Sequence, residues 1–189
     1  SSTLVIAEAG PGLFGKFGSG TDPIITHTAA NTMVHLSSSS TPTTVNDWRF
    51  QDITFDGASF QAACFEGRGA CTQMLIHRCD ISNISFAVVM SQTVLDGLNN
   101  PTYTHAMWDQ FYLVDSTTYN LIGVTGPCAI FASWDRAAIL GCSINNNGGG
   151  EHGCRTQYTN RQVFSNNTVS GIAATKANMS IRGVVFGGD

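Results

Sequence analysis

The sequence predicts an all-β solenoid of about six coils, and three observations predict it. One twelve-residue plan recurs: a polar start, a short apolar run, then an alternation ending in Asn, Gly or Asp. It appears as NDWRFQDITFDG (46–57), TQMLIHRCDISN (72–83), DQFYLVDSTTYN (109–120), DRAAILGCSINN (135–146) and NRQVFSNNTVSG (160–171). The copies start 26, 37, 26 and 25 residues apart. Turn-forming residues close each copy, and no stretch carries the 3.6-residue apolar period of a helix.

Taken in order, residues 1–21 are a Gly-rich lead-in and residues 22–189 hold the coils of a single domain, 1–189. SSSSTPTT (37–44) is a polar loop inside it, not a boundary. The one long interval holds DGLNNPTYTHA (96–106), whose Asn-Asn-Pro marks an inserted loop. A second apolar stretch accompanies each later copy: FAVVMS (86–91), CAIFASW (128–134), HGCRTQY (152–158) and ANMSIRG (177–183). A single coil cannot bury its own inner face, so coils must stack at ~4.8 Å and share a continuous core. Superposed copies bring Phe55, Ile81, Ile144 and Val169 to one interior position. Asn83, Asn120, Asn146, Asn166 and Asn167 recur at turns, where asparagine tolerates left-handed backbone.

This spacing and these aligned residues resemble the right-handed parallel β-helix of the pectate-lyase-like superfamily, over about residues 22–189. A β-sandwich competes, because short strands with regular turns give a similar pattern. A leucine-rich repeat lacks its L-x-x-L-x-L consensus. The final rung, SIRGVVFGGD, shows no cap. That leads us to expect a piece of a longer β-helix, or end-to-end self-association through exposed strand edges.

Composition narrows the function classes. Charged residues are 12 %, the net charge is -4, and there is no basic run, which argues against a nucleic-acid partner held through phosphates. No apolar run approaches a membrane span, and the chain reads as a mature secreted protein. Six cysteines allow many pairings. Cys64 and Cys71 bracket FEGRGA, whose glycines permit a sharp turn, so a disulfide stapling a surface loop is expected there. The alternative is six buried small apolar thiols. Scattered histidines and the lack of C-x-x-C argue against zinc.

A 25-residue step sets Phe131 against Thr156 and Ile181. It turns Ala129, Cys154, Met179, Thr156 and Ile181 inward and Arg155, Gln157, Ser180 and Arg182 outward. Glu151 then falls one coil below Lys176. Glu151, His152, Arg155, Lys176 and Arg182 form the densest ionisable cluster in a charge-poor chain. E-H-x-x-R, followed by SNNTVSG and K-x-x-x-S-I-R-G, resembles the end-of-helix region of the alginate lyase and chondroitinase B family. The resemblance implies a polysaccharide lyase acting on a uronic-acid-containing glycan. It makes Arg155 or Lys176 the base, Arg182 the complement to substrate charge and Glu151 a ligand to calcium; His152, which follows Glu151, is a further catalytic candidate from the cluster itself. In β-elimination the uronate charge must be neutralised so that the C5 proton becomes acidic enough to remove.

Gln157 and Arg136 are further substrate-binding candidates, and Trp108 and Trp134 would offer a sugar-stacking platform if they face outward. Asp109 and Asp135, one coil apart in WDQ and WDR, supply the glycosidase alternative. Asn83, Asn166 and Asn178 begin glycosylation sequons. The same cluster also fits a solvated rung in which Glu151 pairs with Lys176 and the arginines cover the outer sheet with their stems. The second function class is accordingly a non-catalytic β-solenoid serving as an adhesin, a spike or a filament subunit.

Overall fold

The computed structural model describes residues 2–36, 44–58, 63–67, 70–90, 108–122, 128–146, 152–157 and 159–182. Among them are nineteen strands and no helix. Numbered in chain order, the strands fall into three parallel sheets. Sheet A holds β1 (Leu4–Ile6), β4 (Val34–Leu36), β7 (Ala63–Gly67), β10 (Phe86–Met90), β13 (Cys128–Ala132), β16 (Cys154–Gln157) and β19 (Met179–Arg182). Sheet B holds β2 (Gly12–Gly15), β5 (Val45–Gln51), β8 (Cys71–His77), β11 (Asp109–Val114), β14 (Arg136–Leu140) and β17 (Arg161–Ser165). Sheet C holds β3 (Ile24–Thr26), β6 (Thr54–Asp56), β9 (Asp80–Ser82), β12 (Thr117–Tyr119), β15 (Ser143–Asn145) and β18 (Thr168–Ser170).

Each coil visits A, B and C in turn and each strand pairs with its counterpart one coil away, which makes a right-handed parallel β-helix of about six coils. A sandwich would need antiparallel pairs, and every ladder between these strands is parallel. The interior column is the expected one: Phe55, Ile81, Thr118, Ile144 and Val169 pair in register along sheet C. Phe55, Ile81 and Ile144 are fully buried. Phe50, Phe55 and Phe65 meet edge to face where the three sheets converge.

Between sheets B and C the connection is two residues in every coil from the second onward, and its first residue is left-handed each time: Asp52, Arg78, Asp115, Gly141 and Asn166. The corner's geometry is thus fixed while its sequence varies. At Gly141 an added Cβ would meet Asp115 Oδ1 at 2.3 Å, and glycine takes the positive φ without the strain that the other four residues accept. Asn83 and Asn120 hold the left-handed position after sheet C, and each donates through Nδ2 to the coil before it, Asn83 to Asp56 and Asn120 to Asn83.

The expected Cys64–Cys71 disulfide is absent, and all six cysteines are free, buried thiols. Cys64 lies within β7 on sheet A and Cys71 opens β8 on sheet B, and both side chains are buried in the core. Burial pushes the thiols of Cys64, Cys71 and Cys154 well up, and that of Cys79 up to about 11, so none supplies a thiolate. We expect a thiol reagent to find no fast-reacting cysteine in the native protein and all six in denaturant without reductant. A count of four would restore the disulfide.

The 25-residue step also needs correction in one place. Phe131 pairs with Arg155, and Ala132 with Thr156, a 24-residue step in sheet A. Sheet B steps by 25 at the same coil, Arg136 to Arg161, so the extra residue is absorbed in the corner from A to B. Ala129, Cys154 and Thr156 are buried as expected, and Met179 packs on the core, but Ile181 is 58 % exposed. Phe131 therefore lies on the outer row with Arg155.

Candidate functional site

Sheet A differs from the others in what borders it. Its strands are entered and left through connections of very different length, up to the run from 91 to 108, whereas from the second coil onward B joins C through two residues. Variable connections are where a repeated scaffold places specificity. The outer row of sheet A, read by register from coil to coil, is Val5, His35, Glu66, Val89, Phe131, Arg155 and Ser180. From His35 to Ser180 these residues are half-buried and form one continuous row along the sheet.

The Arg155 guanidinium lies over the Phe131 ring, 5.1 Å from its centroid. The two side chains form a cation–π contact on the outer row. At the other end of the strip, Glu66 Oε2 accepts from Thr32 Oγ1 at 2.5 Å and lies 3.0 Å from His35 Nε2. Thr32 belongs to a further chain of polar contacts: its carbonyl accepts from Thr3 Oγ1, which accepts from Asn31 Nδ2, and Asn31 Oδ1 lies 2.5 Å from His27 Nε2. The sequence reasoning missed this group altogether. Thr32 and Glu66 are 34 residues apart and share no local motif, and only writing VHL beneath FEG in coil register would have found them.

The remaining expected site residues fall in several places. His152 precedes β16, and its Nδ1 accepts the backbone N–H of Ala177 at 2.9 Å, one coil away. That bond ties the ring to the turn that carries Lys176. Lys176 N–H in turn donates to the Ala173 carbonyl. Gln157 and Arg182 pair across β16 and β19, and their side chains lie outside the described residues, as does Glu151. Five positions separate the His152 rung from the Gln157 rung, roughly 16 Å of strand, so the cluster is spread along a strand and does not converge on one point. Among the described residues no three His, Cys, Asp or Glu side chains come together to hold a metal, so the oxygen-rich set that calcium needs is not assembled there.

Trp108 and Trp134 are corrected outright. Both are fully buried and bridge each other across coils, and no sugar can stack on them. The glycosidase pair fares no better as an acid and base. Arg136 grips Asp109 through both Nε and Nη2, and Asp135 accepts from Asn160 and Arg161 at 2.8 Å each. These bonds hold both carboxyls below their ordinary range, Asp109 chiefly through Arg136 and Asp135 chiefly through Asn160, opposite to what a general acid requires. Arg136 is committed to this ion pair on sheet B, away from the strip.

A third ion pair gives a clean pH prediction. Arg78 donates to Asp52 at 2.6 and 2.8 Å on the B-to-C corner, and with help from Gln51 it holds the Asp52 carboxyl down at about 2 against an ordinary 3.8. A depressed folded value means the pair's stabilisation is complete above the ordinary value and is lost as pH falls through the folded one. Arg78→Ala should be less stable than wild type above about pH 4, with the difference closing between about pH 4 and pH 2. Urea unfolding across that range checks it.

No family model matches this chain, and neither does any curated protein or solved structure.

Proposed function

We propose that this chain is a secreted, carbohydrate-active β-helix of the pectate-lyase-like kind that takes an acidic polysaccharide along the outer face of sheet A and cleaves it by β-elimination at a uronic acid. The observation that carries the reading is the half-buried outer row of sheet A, with a guanidinium stacked on an aromatic ring in a chain otherwise poor in charge. A carboxylate sugar laid against Arg155 meets a permanent cation, which neutralises it and makes the C5 proton acidic. Arginine is not the base, since its guanidinium does not give up its proton in proteins. Lys176 is the better candidate. It lies four residues before Ser180, the rung partner of Arg155, in the turn that leads into β19. His152 acts as a positioning residue by holding the Ala177 amide beside it.

The test is the ultraviolet absorbance of unsaturated uronate ends released from alginate, pectate and glycosaminoglycans, with and without calcium. Arg155→Ala should lower turnover by about 100-fold or more while leaving the unfolding midpoint nearly unchanged, and Lys176→Ala should abolish turnover while retaining binding. Glycan binding without new ends would favour the second reading, a non-catalytic β-solenoid used as an adhesin, a spike or a filament. One observation favours that reading: His152, Gly153 and Cys154 all serve the scaffold, and only Arg155 of that stretch faces outward. No binding to any acidic glycan would sink the lyase reading and leave the spike or filament reading standing.

A further inference from the structure

Sheet B carries an outer row whose chemistry differs from that of sheet A. Read by register from coil to coil, it runs Leu13, Arg49, Leu75, Tyr112, Ala138 and Val163. Met74 and Ile76 flank Leu75, Phe111 and Leu113 flank Tyr112, and all of these neighbours are buried, so alternation turns the row outward. Leu13, Tyr112 and Val163 are exposed large apolar side chains aligned on this one face. Such an alignment marks a contact surface. A single ring among aliphatic groups makes a poor sugar platform and suits the apolar centre of a protein interface.

We propose that this face binds a second copy of the chain, antiparallel to the first, about a two-fold axis that runs along the strands between β8 and β11. Such an axis reverses the order of the coils and lays each edge of the sheet against the same edge of the other copy. It sets Leu75 on Tyr112, Leu13 on Val163 and the long Arg49 on the small Ala138. The charges at both edges agree with it. Arg78 and Asp115 hold the same corner position one coil apart, so Arg78 of one copy faces Asp115 of the other. Arg136 precedes Ala137 and Asp47 precedes Trp48, at one level of the sheet, so Arg136 of one copy faces Asp47 of the other. Both arginines keep the carboxylates they already hold, Asp52 and Asp109, because a guanidinium has more donors than one carboxylate takes. The parallel arrangement fails on the same count: it sets Arg49 on Arg49, Asp109 against Asp115 and Asp47 against Asp52. The face spans roughly 24 Å of stacked coils by about 16 Å of strand, so the two copies bury about 800–1,000 Å² in all, at the lower bound of a specific interface. The dimer is therefore a weak one, and it leaves the outer row of sheet A open on both copies.

Sedimentation velocity of the full chain from about 1 to 500 μM should show a monomer–dimer equilibrium with a Kd of about 10–100 μM. Tyr112→Asp sets a carboxylate on Leu75 of the other copy and should weaken the dimer at least about tenfold at an unchanged unfolding midpoint. Tyr119→Asp, an equally exposed site on sheet C, should leave it as it is. Cross-linking then reads the direction. Facing sheets lie ~10 Å apart, beyond a disulfide's reach, so a bis-maleimide of about that span is the probe, and the buried native thiols do not compete for it. A mixture of Leu13→Cys and Val163→Cys chains should cross-link, and neither variant alone should, because each residue meets the other kind and not itself. A monomer throughout the concentration range overturns the proposal, and so does a dimer that Tyr112→Asp leaves intact. Cross-linking within either variant alone overturns the antiparallel axis, and assembly past a dimer that survives Tyr112→Asp places the contact at the coil ends instead.

Discussion

Trp108→Ala should destabilise the protein by about 3–5 kcal/mol, among the largest losses expected from any single side chain. The indole is fully buried and fills the space above Gly67, where an added Cβ would stand 2.0 Å from its ring. It leans on Phe111, which stacks in turn on Trp134 at 5.4 Å and 8°. Removing it empties a cavity that a coil fixed by parallel ladders on both sides cannot collapse to fill. At roughly 2–4 °C per kcal/mol for a chain of this size, the thermal midpoint should fall by about 6–20 °C. The result separates two roles. A sugar platform would lose glycan affinity at constant midpoint, whereas a core residue loses the midpoint. Gly67→Val should reproduce the effect from the other side, by driving the ring out of its slot.

The fold was legible because the solenoid writes its interior into the sequence at a fixed step. Phe55, Ile81, Ile144 and Val169 could be aligned by eye, and they form one column. The turn asparagines were legible for a related reason: left-handed backbone restricts the choice of residue, and Asn83, Asn120 and Asn166 are all left-handed. The site was harder to read. CAIFASW is apolar almost throughout, so alternation could not say which of its residues faces outward, and a one-residue change at the corner moved Phe131 to the outer row. The tryptophans misled because a large aromatic near a corner suits a core and a sugar platform equally well on paper. Glu66, His35 and Thr32 were invisible, since their proximity comes only from stacking coils whose connecting loops differ in length.

Gly153→Val should cost at least about 3 kcal/mol, and Gly153→Ala about 1–3 kcal/mol. A Cβ at this position would stand 2.7 Å from the Asn178 carbonyl oxygen, 2.8 Å from Val169 Cγ1 and 3.3 Å from Ile172 Cδ1. The first contact is backbone and cannot yield without disturbing two cross-coil bonds. Gly153 N–H donates to the Ala177 carbonyl, and the Gly153 carbonyl accepts from the Ala129 N–H at 2.8 Å. Urea unfolding gives the cost directly, and the larger substitution should also shorten the lifetime of the His152–Ala177 bond, read as faster amide exchange at Ala177. A small effect of Gly153→Val on the midpoint would mean that the last coils are loose enough to yield, and that the strip beside them is not rigid. The contrast with Arg155 decides how the His152–Arg155 stretch divides. Arg155 faces outward from the same strand and stacks on Phe131, so Arg155→Ala should remove glycan engagement at nearly constant stability. Gly153→Val should remove stability first and glycan engagement only as a consequence. If instead both substitutions lowered the midpoint equally, the guanidinium over Phe131 would be a packing device, and the strip on sheet A would lose its claim to a ligand.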